Sequence, residues 1–314
     1  MSVTLYFSKV SLNSHIYEVY EQKLDLKNVL KTLYLNIREG IEYINEGLRI
    51  KEDGESFLYD ASYSFNFIEK ADGELVDTVI GSVIKTAKIF INDIDKKTGK
   101  MTKRAIDNKE VINFYFDVYQ EIVVFHTTNR FGYKEFNMAF KELLNKCMFS
   151  QDVTYNFEVG LIKQGLNVQE IKQQLRDIGK LEYLKIEVIP PNPDDELLRG
   201  IQENGEEYLG DMQAGNVTEK SILFTSSAPE GLNINSKIIN KEIEGIDNIH
   251  SKLSSNEATK MDYVSVEARN QNGRVYSTKD SRPVKYTLDE KPLNLLDFAK
   301  VCKRRLATLL STFL

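Results

Sequence analysis

Cysteine is nearly missing from this chain: Cys147 and Cys302 are its only two in 314 residues. No disulfide framework is therefore indicated, and a reducing, cytoplasmic setting is expected. Histidine is scarce as well. His15, His126 and His250 are dispersed, and neither cysteine belongs to a short metal-binding pair, so the chain carries no zinc-ligand spacing. Glycines never gather into a phosphate cradle. Thr98-Gly99-Lys100-Met101-Thr102 sets Gly-Lys near a hydroxyl but lacks the glycine-rich loop ahead of it. No Gly-x-Gly-x-x-Gly follows a strand and no Gly-x-Ser-x-Gly elbow occurs, which removes the sequence signals of dinucleotide binding and of a serine hydrolase. Long apolar runs are absent too. The run Ile122 to Phe125 is a few residues long, whereas a helical membrane crossing takes about 20. The opening MSVTLYFSKV reads as a strand, not as a secretory leader.

What remains is the composition of a soluble globular protein, 41% hydrophobic and 28% charged, with length enough for a large core or two modest domains. The net charge of -6 argues against a protein that coats nucleic acid non-specifically, while leaving room for a local basic groove.

Periodicity supplies the elements. Alternation over 4–10 predicts a first strand, and Leu26, Val29, Leu30, Leu33, Ile37, Ile41 and Ile44 mark one face of a helix spanning 24–45. Residues 56–68 and 75–92 carry strand character, and 108–126 contains two apolar aromatic runs expected as adjacent strands. Phe136, Phe140, Leu143, Leu144 and Cys147 stripe a second helix. Strand, helix and strand follow over 154–162, 168–178 and 181–189, the outline of a crossover unit. A helix from 194 to 213, a short strand at 222–225, a hairpin around Asn270-Gln271-Asn272-Gly273 and a final helix over 293–313 complete the reading.

The expected fold class is α+β, a mixed or antiparallel sheet packed by amphipathic helices in a split α/β sandwich-like arrangement. Residues 1–214 are expected to form the main domain, 215–260 an irregular insertion or linker, and 261–314 a C-terminal hairpin and helix.

The corner IEVIPPNPDDELL holds half of the six prolines, at 190, 191 and 193. Each fixes φ and removes a donor, so a strand must stop there. Asp194 and Asp195 follow where a helix should begin, and carboxylates favour such a start. Four basic side chains form the preferred nucleic-acid contacts: Lys103 and Arg104 near a turn, and Arg304 and Arg305 on the last helix. They can neutralise phosphates without reading bases. An alternative reading makes Asp117, Glu121, Asp194 and Asp195 the ligands of a divalent metal in a phosphodiesterase or nuclease. A third is a protein-interaction scaffold without catalysis. No cofactor is expected outside the metal alternative. Leu293, Leu295, Leu296, Ala299, Leu306, Leu309, Leu310 and Phe313 give the last helix an apolar stripe for docking within the chain or for a homo-oligomer.

The runs EVINFYFDVYQEIVVFH and IEVIPPNPDDELL and the late GRVYSTKDSRPVKY resemble an uncharacterised bacterial family found among mobile-element and phage-defence genes. That resemblance implies a defence-associated role, with a DNA or RNA ligand and a defence-system protein as partner. It carries no catalytic signature.

Overall fold

The computed structural model describes residues 2–50, 56–70, 77–94, 98–99, 101–150, 153–192, 207–252 and 263–313. The fold is α+β, two antiparallel sheets packed by helices. The larger sheet holds β1 (Val3–Leu12), β2 (Glu42–Ile50), β3 (Ser56–Lys70), β4 (Thr78–Ile94), β5 (Met101–Asp117), β6 (Ile122–His126), β7 (Phe157–Leu161) and β12 (Lys285–Leu288). Its order is β12-β1-β6-β5-β4-β3-β2, and β7 also pairs with β1. One side of β1 is shared end to end: Val3–Tyr6 pair with β12, and Ser8–Leu12 pair with β7.

Both faces of this sheet are covered, which is why its central strands read as continuous apolar runs instead of alternating ones. On one face α2 (Leu26–Asn36) and α3 (Tyr133–Met148) enclose an aromatic core. Phe136 stacks on Phe125 with centroids 3.9 Å apart, and Phe140 meets Phe65, Phe114 and Phe116 at 5.7, 5.1 and 5.7 Å. The other face carries Leu5, Phe7, Tyr115 and Val124 into a second core.

That second core is closed by α1 (Ile16–Tyr20), α4 (Val168–Ile178), α5 (Glu207–Ala214), α6 (Lys237–Lys252), the last helix α7 (Leu295–Phe313) and the smaller sheet. The smaller sheet has the order β11-β10-β8-β9, from β8 (Leu181–Val188), β9 (Lys220–Thr225), β10 (Val264–Asn270) and β11 (Val275–Ser277). Leu184, Ile186, Val264 and Val266 face the core. A capping box starts α4, with the Glu170 amide donating to Asn167 at 2.9 Å and the Asn167 amide to Glu170 at 2.8 Å. The Asn270–Gly273 turn forms the expected hairpin, with Gly273 at φ +78° and the Asn270 side chain accepting from the Asn272 and Arg274 amides.

Two expectations change. The helix over 24–45 ends at Asn36; Gly40 turns the chain at φ +79°, and Ile41 and Ile44 fall in or beside β2, not on the helical stripe. Their spacing from Ile37 matched a helix by coincidence, since residues three and four apart also fit an interrupted pattern. The strand-helix-strand unit is not a crossover within one sheet, because β7 pairs with β1 while β8 lies between β9 and β10. Within residues 215–260, β9 falls on the short strand expected at 222–225, and α6 follows it.

The outward face of the smaller sheet carries a pH-sensitive contact. Burial opposes ionisation of Glu187, but hydrogen bonds from Lys185 (2.5 Å), Lys279 (2.5 Å) and Ser265 (2.8 Å) outweigh it and pull its pKa down from 4.5 to about 2. A folded-state pKa below the unfolded one contributes stability above about pH 4.5 that is lost as pH falls toward 2. Glu187→Gln should therefore be less stable than the parent at pH 7, with the gap in melting temperature closing between pH 4.5 and 2. A gap that stays constant across that window would contradict this.

Candidate nucleic-acid interface

The last helix is placed by its start and by its stripe. The Asn294 side chain accepts from the Asp297 amide at 2.8 Å, capping the first turn. Phe298, Ala299, Cys302, Leu306 and Leu309 then bury against β4, β5 and β6. The apolar stripe is thus spent largely within the chain, while Leu293 and Leu296 remain exposed.

This packing turns Arg304 and Arg305 toward β12 and the loop that follows it. A cleft of about 440 Å³ opens there, lined by Tyr286, Lys291, Arg304 and Arg305 together with Asp289, Glu290 and Asp297. The Arg305 guanidinium sits over the Tyr286 ring, its central carbon 3.5 Å from the ring centroid. Its Nε is buried and has no hydrogen-bond partner. That N–H is closed off from solvent, so any anionic oxygen in the cleft would meet the other N–H groups of Arg305 together with Arg304 and Lys291. Sequence reasoning does not single out Tyr286, because the four residues of β12 carry no distinguishing pattern.

Lys103 and Arg104 lie elsewhere. They pair with Asn92 and Ile91 in the β4–β5 hairpin, beyond Ala87 and Ile112, the last residues of these strands that are buried among the described residues. Thirteen positions along β5 separate Arg104 from Asp117, which lies near Lys303 of α7, roughly 40 Å along the strand. The two basic pairs do not converge into one groove.

The carboxylates have local partners. Asp117 accepts from the Gln120 amide at 3.0 Å at the β5–β6 turn. Burial pushes its pKa up, against the lowering effect of the Gln120 and Tyr119 amides and of nearby Lys303. Glu121 is buried at φ 55°, pairs with Lys9 at 3.0 Å and accepts a hydrogen bond from the Asn192 side chain. Close by, Ser11 donates to Tyr263 at 3.2 Å, and Tyr20 donates to the Pro191 carbonyl at 2.6 Å. The polar cluster therefore ties the β5–β6 turn to the first half of the proline corner, where Pro190, Pro191 and Asn192 are buried. Asp194 and Asp195, and the start of the helix expected over 194–213, lie outside the described residues, and α5 falls at the end of that span. Among the described residues, no three His, Cys, Asp or Glu side chains come together in a way that could hold a metal ion.

His126 is held as a structural group. Its Nε2 accepts from the Asn113 amide at 3.1 Å, Phe298 meets its ring edge-on at 5.8 Å, and burial lowers its pKa. No described helix is long and apolar enough to cross a membrane.

A family model described as a domain of unknown function, DUF4747, matches residues 60–295. The chain belongs to the DUF4747 family. Comparison with the curated proteins found no match. The DUF4747 match runs from within β3 to the start of α7, so it includes Lys103, Arg104, Asp117, Glu121 and Tyr286. Arg304 and Arg305 lie beyond it, on a helix that the matched segment needs to cover one face of β4–β6.

Proposed function

We propose that this protein is a cytoplasmic nucleic-acid-associated binding protein that grips a phosphate backbone at the cleft between β12 and α7. The observation that carries this reading is the Arg305 guanidinium, held on the Tyr286 ring in a cleft that Arg304 and Lys291 also line. The Tyr286 ring fixes the Arg305 guanidinium in place, and a fixed arginine beside further basic groups suits a phosphate backbone. Lys103 and Arg104, on the outlying part of the β4–β5 hairpin, supply a second and separate contact. The resemblance to a bacterial family of phage-defence and mobile-element genes supports placing this binding in antiviral defence, acting with a defence-system protein.

Fluorescence anisotropy with labelled single-stranded DNA and RNA at low salt tests the reading. Arg305→Ala is expected to weaken binding about tenfold, ~1.4 kcal/mol, with Tyr286→Ala acting in the same direction. An absence of binding to every nucleic-acid form at low salt would overturn it.

A further inference from the structure

The outer edge of the smaller sheet is open, and its hydrogen-bonding pattern shows which groups face outward. The Ser226 amide donates to the Glu182 carbonyl at 2.9 Å, so Glu182 and Ser226 form a hydrogen-bonded pair. Such pairs alternate along an antiparallel ladder. In the register of β8 with β9, the hydrogen-bonded pairs are then Leu184 with Phe224 and Ile186 with Ile222. Ser221, Leu223 and Thr225 consequently turn their amides and carbonyls away from β8, and among the described residues these groups meet no partner.

Edge strands in natural proteins are guarded by proline, by charges, by bulges or by extreme shortness. β9 has none of these between 221 and 225. The segment SILFT is uncharged and rich in strand-forming residues, and its register with β8 is unbroken. Lys220, the one charge in the strand, is engaged by Glu242 at 2.9 Å. Leu223 is 55% exposed at the middle of the edge.

We infer that β9 pairs with β9 of a second copy of this chain across a two-fold axis, joining two four-stranded sheets into one. The segment is self-complementary. Antiparallel pairing centred on Leu223 sets the two Leu223 side chains opposite each other and each Ser221 opposite the other copy's Thr225, with no charge facing a like charge. The outward backbone groups of all three residues are then satisfied in both copies. This contact is independent of the nucleic-acid reading.

Sedimentation equilibrium of the full chain from ~10 to ~500 µM provides the test, a range suited to the modest affinity of so small an interface. The wild type is expected to move from monomer toward dimer mass, and Leu223→Lys, which sets two cations face to face, to raise the dissociation constant at least about tenfold. A wild type that stays monomeric throughout, or a dimer that Leu223→Lys leaves intact, would overturn the inference. Should that variant fail to fold, hydrogen exchange of the wild type decides. Protection of the Ser221, Leu223 and Thr225 amides that rises with concentration supports the pairing, and unchanged protection refutes it.

Discussion

Replacing Glu121 by alanine is expected to destabilise the protein by about 2–4 kcal/mol, because it takes the carboxylate from a largely buried cation and leaves Lys9 the Gln120 carbonyl, a neutral acceptor, at 3.2 Å. Lys9 and Glu121 have side chains only 16% and 8% exposed, and the Asn192 amide group would lose its acceptor in the same step. The apparent melting temperature should fall by roughly 10 °C. The expected cause is structural, so the pair Lys9→Met and Glu121→Leu together should cost much less than the sum of the two single changes, as an apolar pair can replace a buried ion pair of similar volume. Thermal melts of the four proteins in the cycle check this. Additive losses would show that Lys9 and Glu121 do not act as a unit, and a loss below ~0.5 kcal/mol for Glu121→Ala would show that the cluster does not hold the proline corner to the β5–β6 turn.

Phe140→Ala is expected to cost about 3–5 kcal/mol, from lost burial and from the cavity left among neighbours that cannot collapse fully. Phe140 is fully buried and touches rings from both layers: Phe65, Phe114 and Phe116 from the sheet, and Phe136 from its own helix at 5.3 Å. Phe140→Leu retains most of the apolar volume and should cost distinctly less. Denaturant unfolding of the two variants separates them. Equal, small losses would mean that the aromatic layer between α3 and the large sheet is not a cooperative part of the fold.

These two positions differ in how far the sequence announces them. Phe140 belongs to the stripe of Phe136, Leu143, Leu144 and Cys147, and a helical period of three and four residues places it inward without knowledge of the fold. The runs that became β5 and β6 are legible for the same reason, as is the Asn-Gly hairpin, whose conformational demand is local. The Glu121 cluster is not legible. Its partners lie 112 and 71 residues away in sequence, and the register of β1 with β6 and the path of the proline corner bring them together. The separation of Lys103 and Arg104 from Arg304 and Arg305 is likewise a product of topology. One pair rides far along a hairpin, and the other lies on a helix that crosses the hairpin's base. Residues 24–45 mislead because the turn at Gly40 joins a helix to a strand whose first apolar residues happen to continue the helical spacing. β12 is missed because four residues carry too little pattern, although Tyr286 is the ring on which Arg305 rests.

The most direct test of the phosphate-binding cleft is a salt series of anisotropy titrations with a labelled single strand, comparing the wild type with the Arg304→Ala/Arg305→Ala protein. Each phosphate contact contributes about 0.7 to the slope of log affinity against log salt. The double variant is expected to bind more weakly, with a slope shallower by about 1.4, the share of two contacts. An unchanged slope and affinity would contradict this and remove the cleft from the binding surface.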